Sequence, residues 1–212
     1  MIRQSCVEQS HSCLEDMPES FWKAVRTDVA RIREDGPGLR VLIRGLVSQG
    51  FLAILVYRAF RWCHERGIPT QPIRFVLERA IEITTGISIP VRARIGPGLR
   101  IYHFGGIILH PEVVVGRGCT LYHGVTLGDL GGYGGAPRIG NRVLIAAGAK
   151  VLGRIAIGDD CVIGANAVVL VSVPADCLAV GVPASIKRRM APAGRVVAEV
   201  VQVGAEPGSP RG

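Results

Sequence analysis

Five histidines are the residues of this 212-residue chain best suited to proton transfer. His103, His110 and His123 lie in its central part, whereas His11 falls in a polar leader and His64 at the end of a predicted helix. An imidazole titrates near neutral pH, so each central histidine could deprotonate a hydroxyl group. Three imidazoles could also bind zinc. The sequence therefore offers two chemistries, general base catalysis and metal binding.

The six cysteines indicate a reducing compartment rather than a metal site. No two of them form the CxxC pair that zinc and thioredoxin-like sites use. The first twenty residues are polar and charged and show no signal peptide. The longest uncharged run that follows, residues 45–57, is too short to cross a bilayer. We expect free thiols, no metal, no membrane span and a cytoplasmic protein.

The net charge of +8 suits an anionic partner such as nucleic acid, a membrane surface or a phosphorylated co-substrate. No recognition helix or zinc spacing accompanies the charge, so we expect no nucleic acid partner. Aromatic residues make up only 5% of the chain, while glycine contributes 28 residues. This composition fits a repeat that stacks small and branched side chains in layers better than a core of large rings.

An aliphatic residue recurs at every sixth position through the second half of the chain. The positions are Ile139, Ile145, Val151, Ile157, Ile163 and Val169. A hexapeptide of this kind makes one short strand and one tight corner, and three of them close a triangular coil whose neighbours stack about 4.8 Å away. We predict a left-handed parallel β-helix. The alternative, a sandwich of short strands, would show a period of two.

The first half of the repeat is less regular. Ile95, Ile101 and Ile107 keep one phase, and Val115 begins the next after eight residues, so a corner must accommodate two extra residues. Residues 128–138 contain five glycines and interrupt the repeat again. We interpret this second interruption as a loop that leaves the solenoid and lines a site.

Residues 21–85 are predicted to be helical. Apolar spacings of three and four predict a first helix over 21–34, which Gly36-Pro37-Gly38 ends. Residues 39–65 continue as one helix or as two that break at Gly50, and a third helix covers 73–84. The fold class is α+β, an N-terminal helical segment followed by a left-handed parallel β-helix of hexapeptide repeats. The predicted regions are a flexible leader at 1–20, a helical domain at 21–85, the β-helix at 86–190 and a disordered tail at 191–212.

The β-helix prediction bears on the zinc alternative. Solenoids of this shape that act as carbonic anhydrases hold zinc with histidines aligned on adjacent coils and a close i, i+5 pair. His103 and His110 are seven residues apart, and His110 and His123 are thirteen apart. Neither spacing matches, so zinc remains the less favoured alternative.

From Phe21 to Arg189 the chain resembles the serine acetyltransferases. The stretch at 95–128, IGPGLRIYHFGGIILHPEVVVGRGCTLYHGVTLG, fits the family pattern without a gap. AAGAKVLG (146–153), IGANAVVL (163–170) and GVPA (181–184) also match it closely. The resemblance implies an acetyl-CoA-dependent O-acetyltransferase that converts serine to O-acetylserine in cysteine biosynthesis. It also implies a homotrimer or hexamer, because acetyl-CoA lies in a groove between two subunits of such enzymes.

The resemblance assigns roles to individual residues. His103 matches the general base, which removes the proton from the acceptor hydroxyl. Ala147 and Ala165 match positions whose backbone contacts the pantetheine arm of acetyl-CoA. Lys187 follows GVPA, where its ammonium could neutralise the phosphates of the co-substrate.

The departures from the family pattern cluster in the acceptor site. Ser88 stands where the family has the aspartate that steers the base, and a hydroxyl can orient an imidazole but cannot stabilise an imidazolium. Tyr102 replaces an aspartate directly before the base. The loop that carries Arg-His-Pro in the family is shortened to residues 136–138. Asp35, a displaced acidic residue, and His123, at a normally uncharged position, are the expected acceptor contacts.

Two alternatives follow from these departures. The second histidine and the shortened loop resemble serine-acetyltransferase-like enzymes that acetylate sugars in polysaccharide biosynthesis. The loss of the steering aspartate also allows a non-catalytic β-helix scaffold. The donor motifs are mostly kept, so acetyl-CoA is the expected donor while the acceptor is serine or a sugar.

Overall fold

A computed structural model describes residues 20–34, 36–131 and 135–188. Asp35, the predicted tail and all of the predicted leader except Ser20 lie outside this part. The described helices are α1 (Phe21–Arg33), α2 (Leu39–Leu46), α3 (Gln49–Glu65) and α4 (Ile73–Thr85). None of the described helices is by itself long and apolar enough to span a membrane; α2 and α3 reach that length only as a pair bent by 60°.

The helical region breaks before Gly50, so the predicted break at Gly50 is wrong. The chain leaves α2 at Val47, and the Ser48 hydroxyl accepts a hydrogen bond from the Phe51 backbone N–H at 3.3 Å. Ser48 therefore begins α3 as its N-cap. Gly50 serves packing instead, because a Cβ there would lie 2.8 Å from the carbonyl oxygen of Ile101 on the β-helix.

Fifteen short strands in the described part form three faces of a prism. The first face contains β1 (Ile87–Ser88), β4 (Ile107–Leu109), β7 (Thr126–Gly128), β10 (Lys150–Leu152) and β13 (Val168–Val169). The second contains β2 (Arg94–Ile95), β5 (Val114–Val115), β8 (Arg138–Ile139) and β11 (Ala156–Ile157). The third contains β3 (Arg100–Tyr102), β6 (Thr120–Tyr122), β9 (Leu144–Ile145), β12 (Val162–Ile163), β14 (Cys177–Val180) and β15 (Ser185–Arg188).

Strand pairing and burial confirm the predicted left-handed parallel β-helix. Every pair of neighbouring strands is parallel except β14 and β15, which are antiparallel. The six regular hexad positions from Ile139 to Val169 are at most 1% exposed and fill the prism. One aliphatic side chain per face and coil therefore builds the core, as the period of six requires.

The two extra residues in the first half of the β-helix lie in a different corner from the one that the sequence predicted. Ile101 pairs with Leu121 and Leu109 pairs with Leu127, so the eight-residue step separates Ile101 from Leu109. Leu109, not Ile107, occupies the regular hexad position. The prediction that the step follows Ile107 is wrong, because periodicity alone could not distinguish Ile107 from Leu109, which are both apolar and both buried. The extra residues enlarge the corner that carries His103.

A buried ion pair fixes the helices to the end of the prism that holds its first coil, β1 to β3, which we call the lower end. Arg58 on α3 donates from Nε to Asp28 on α1 at 3.0 Å, and it also donates to the carbonyl oxygens of Ile95 and Gly96. Asp28 in turn accepts hydrogen bonds from the backbone N–H groups of Gly98 and Leu99 at 2.7 and 3.1 Å. Burial raises the pKa of Asp28, and Arg58 opposes that shift.

Candidate active site

Four of the predicted site residues lie on one edge of the prism. Tyr102 pairs with Tyr122, which puts His103 below His123. The His123 carbonyl accepts from Gly148 N–H at 2.9 Å, and the Ala147 carbonyl accepts from Asn166 N–H at 2.8 Å. The edge between the third and first faces therefore carries one column, which we call the histidine edge, and its members in rising order are His103, His123, Ala147 and Ala165.

The corner at His103 is unlike the corners above it. His103 has a φ of 65°, in the left-handed region that non-glycine residues enter mainly at turns and strained sites. Phe104, Gly105 and Gly106 complete the enlarged corner, and both glycines also have positive φ. His103 and Phe104 are exposed. The insertion thus presents the imidazole to solvent at the enlarged corner.

Aromatic rings surround His103 on the side of the third face. The rings of Tyr102 and Tyr122 stack with centroids 5.3 Å apart, and the Tyr122 centroid lies 6.3 Å from that of His103. The imidazoles of His103 and His123 meet edge to face at 5.6 Å. Within the described part no carboxylate forms a hydrogen bond or ion pair with either imidazole. The predicted residues His103 and His123 therefore form one cluster.

Lys150 is a charged residue of this edge that sequence reasoning did not single out. It lies on β10 of the first face, and its ammonium donates a hydrogen bond to the carbonyl oxygen of Gly124, the residue after His123. The signal was present in the AAGAKVLG motif, where the lysine follows the small residues of the corner. Lys150 brings one positive charge close to the histidine edge.

Ser88 lies on β1 of the first face, opposite Ile108. Nearby, Gly86 passes directly beneath the His103 corner, because a Cβ on Gly86 would lie 2.8 Å from the Cα of Gly105. Ser88 lines a cavity of about 170 Å³ between α3, α4 and the first face. In the described part it makes no hydrogen bond to His103. Orientation of the base by Ser88 stays a prediction.

The remaining predicted site features occupy other places. His110 lies on the edge between the first and second faces, where its Nδ1 accepts from the Glu112 backbone N–H at 3.1 Å. The glycine-rich loop between β7 and β8 leaves from that same edge, which we call the loop edge, and its residues Ala136 and Pro137 are buried. Lys187 is exposed on β15, opposite Leu178, at the upper end of the prism.

The structure separates His110 from the other two central histidines. His103 and His123 lie on the histidine edge, whereas His110 lies on the loop edge. Among the residues that the structure describes, no group of three or more histidine, cysteine or acidic side chains could hold a metal ion. The four described cysteines, Cys63, Cys119, Cys161 and Cys177, are free thiols.

Comparison with known proteins first defines the class. Residues 136–170 match the bacterial transferase hexapeptide family of six repeats. A β-helix built from this repeat is the architecture of a hexapeptide-repeat transferase.

Relatives then define the family. The serine acetyltransferase of Synechococcus elongatus is 38% identical over 172 residues, which cover 78% of this chain and 68% of the relative. That of Helicobacter pylori strain 26695 is 44% identical over 138 residues, 64% of this chain and 80% of the relative. The chain belongs to the serine acetyltransferase family and is an acyltransferase. The resemblance seen in the sequence is confirmed.

Solved structures of the same family have the same fold. A serine acetyltransferase of Neisseria gonorrhoeae superposes with a TM-score of 0.73 at 34% identity over 81% of this chain and 67% of that one. The same enzyme in complex with serine gives 0.71 at 31% identity over 86% and 73%. A Brucella abortus serine acetyltransferase in complex with coenzyme A gives 0.71 at 32% identity over 86% and 74%.

Proposed function

We propose that this protein transfers the acetyl group of acetyl-CoA to the hydroxyl group of serine and so makes O-acetylserine for cysteine biosynthesis. The observation that carries the proposal is the histidine edge, where an exposed imidazole lies in one column with two small corner residues. Family relatives that were solved with coenzyme A and with serine support both substrates. The free thiols of the described part support a reducing compartment, and we place the enzyme in the cytoplasm.

His103 is the general base of the proposed reaction. Its imidazole takes the proton of the acceptor hydroxyl while the acceptor oxygen attacks the thioester carbonyl carbon. The carbon–sulfur bond then breaks, and the proton held by His103 passes to the leaving thiolate of coenzyme A. Ser88 or a backbone carbonyl orients the imidazole in this proposal. The left-handed φ of His103 supports its role as the base, because non-glycine residues enter that region mainly at turns and functional sites.

The donor lies along the histidine edge in this proposal. Ala165 is exposed and Ala147 half-buried, and neither side chain extends beyond Cβ, so an extended arm can approach the backbone there. Lys187 lies at the same upper end of the prism as Ala165, where its ammonium can meet the phosphates of the donor. The phosphates and the thioester then occupy opposite ends of the column.

A second subunit completes the site in this proposal. The loop between β7 and β8 leaves from the loop edge, so within one protomer it is separated from His103 by the width of the first face. A neighbouring protomer can bring its loop edge against the histidine edge and form a groove. We therefore propose a homotrimer, which the helical domains pair into a hexamer. Asp35 is the proposed acidic contact to the acceptor.

Thiol release tests the proposed function. Purified protein is given acetyl-CoA with serine, and free coenzyme A is followed by a thiol reagent. We expect serine-dependent release that falls about 10²–10⁴-fold in His103→Ala, because general base catalysis contributes that factor. His64→Ala changes an exposed imidazole on α3 and is the matched control. Ser88→Asp should raise kcat if orientation of the base limits the rate. A His103→Ala variant with the wild-type rate would exclude His103 as the base.

A sugar hydroxyl is the second candidate acceptor. The ring of Tyr122 favours it, because its centroid lies 6.3 Å from that of His103 and a sugar ring can pack on an aromatic ring beside the base. Nucleotide sugars and oligosaccharides are therefore offered in the same assay after serine. A protein that keeps its trimer but shows no coenzyme A binding by calorimetry would instead be a non-catalytic scaffold.

A further inference from the structure

The order of residues along the histidine edge places His123 between the base and the donor positions. His123 lies one coil above His103 and one coil below Ala147. Coils of parallel strands are about 4.8 Å apart. A donor arm that runs down the column over Ala165 and Ala147 must therefore pass His123 before its thioester reaches His103. His123 thus faces the thioester more directly than the acceptor.

We propose that His123 is a second catalytic residue, which donates a hydrogen bond to the thioester carbonyl oxygen as that oxygen gains negative charge. This inference rests on the proposed function. It moves His123 from the acceptor contact suggested by the sequence to the donor side of the reaction. A hydrogen-bond donor placed where negative charge develops makes one of the largest contributions to catalysis of acyl transfer.

The chemical steps balance with the two imidazoles alone. The acceptor oxygen bonds to the carbonyl carbon, its proton goes to His103, and the carbonyl electron pair moves onto the oxygen that His123 stabilises. When that pair returns, the carbon–sulfur bond breaks and the thiolate takes the proton from His103. The products are the acetyl ester and coenzyme A, and both histidines regain their starting protonation.

The local geometry leaves His123 available for this role. Its imidazole is exposed, and in the described part its side chain makes no hydrogen bond. Glycine follows it at Gly124, where a Cβ would lie 3.3 Å from the Cα of Gly148, so the corner stays narrow beside the ring. By contrast, Lys150 already donates to the Gly124 carbonyl. The edge-to-face contact at 5.6 Å places the two imidazoles side by side on the histidine edge, where both can face one reacting centre.

Three variants at His123 separate catalysis from acceptor binding. His123→Ala removes the donor, His123→Asn keeps an N–H donor on a shorter side chain, and His123→Leu fills the space without one. We expect kcat to fall about 10²–10³-fold in the alanine and leucine variants, with KM for acetyl-CoA and for the acceptor nearly unchanged. The asparagine variant should recover part of kcat. Coenzyme A binding by calorimetry and the oligomeric state report on folding, and His64→Ala is the matched histidine control.

Each outcome decides the role. A fall in kcat with partial rescue by asparagine supports oxyanion stabilisation. An unchanged kcat, a change confined to the KM of the acceptor, or an asparagine variant as slow as the alanine one would overturn it. If the rate survives in all three variants but is lost in Lys150→Met, Lys150 rather than His123 is the hydrogen-bond donor to the thioester carbonyl. A wild-type protein that releases no thiol with any acceptor would overturn the proposed function itself, and this inference with it.

Discussion

The buried pair of Asp28 and Arg58 gives a stability prediction that the structure makes quantitative. Asp28→Ala removes the partner of a guanidinium that is 7% exposed, and it leaves two backbone N–H groups without their acceptor. Breaking one side of a buried ion pair costs about 3–5 kcal/mol. In a chain of this size each kcal/mol lowers Tm by roughly 2–4 °C. We therefore expect Asp28→Ala to lower Tm by about 6–20 °C.

Thermal and urea unfolding at one fixed protein concentration measure this effect, since assembly would otherwise shift the midpoint. Glu82→Gln is the control, because it breaks an exposed pair with Arg79 and should cost less than about 1 kcal/mol. A loss below about 1 kcal/mol in Asp28→Ala would refute the reasoning. The double variant Asp28→Leu with Arg58→Met should lose less than Asp28→Ala, because it leaves no buried charge unpaired.

The pKa of Asp28 adds a pH dependence with a definite sign. Burial raises this pKa above its ordinary value of 3.8, so the folded state binds the proton more tightly than the unfolded state. Desolvation of the carboxylate outweighs its pairing with Arg58 in this shift, so the contribution of Asp28 to stability is greatest below pH 3.8 and decreases as the pH rises through the raised pKa. Relative to the double variant, the wild type should therefore lose stability as the pH rises through that window.

Three further predictions test the packing and the column. Ala165→Trp should raise the KM for acetyl-CoA at least tenfold, seen in thiol-release kinetics, because a large ring would cover the proposed path of the donor. Gly50→Ala should lower stability in urea by about 1–3 kcal/mol, since the new Cβ would meet the Ile101 carbonyl at 2.8 Å. In alkylation followed by mass spectrometry at pH 8, Cys119 should stay unmodified while the half-buried Cys63 reacts, because burial raises the pKa of Cys119 to about 12.

Matched variants make these three results interpretable. Ala175→Trp places the same ring on the exposed edge between the second and third faces, away from both edges of the proposed groove, and should leave the KM for acetyl-CoA unchanged. Gly128→Ala adds a Cβ whose nearest contacts are 3.6 Å away, so its stability should change by less than that of Gly50→Ala. Modification of Cys119 in the folded protein before Cys63 would contradict the burial argument.

The regular half of the β-helix was predictable because one rule governs it. The six hexad aliphatics from Ile139 to Val169 obey the period of six, and the parallel pairing with its eighteen-residue offset follows from that period alone. The irregular half was less predictable, because Ile107 and Leu109 are both apolar and both buried. Only the pairing of Leu109 with Leu127 shows which of them keeps the phase.

The sequence predicted which residues belong to the site better than it predicted how they are arranged in space. The histidine context identified His103, and the eighteen-residue spacing identified Ala147 and Ala165 as a stack. The position of His123 in the same column could not be predicted, because twenty residues separate it from His103 and the extra corner residues hide the register. The link between Asp28 and the backbone at Gly98 was equally hidden, since no local pattern joins a helix to a corner seventy residues away.

The hairpin at the end of the prism has a consequence for solubility. A stack of parallel strands ends in a row of unpaired backbone groups, onto which the strands of another molecule could add. Here β15 folds back antiparallel on β14. In the turn between them, the Gly181 carbonyl accepts a hydrogen bond from the Val168 N–H, and the Ala184 N–H donates one to the Val168 carbonyl. The hairpin therefore ends the parallel stacking of the third face, because β15 pairs with the backbone of β14. A chain cut before Ser185 would leave backbone groups of β14 unpaired and should self-associate more readily through that upper end.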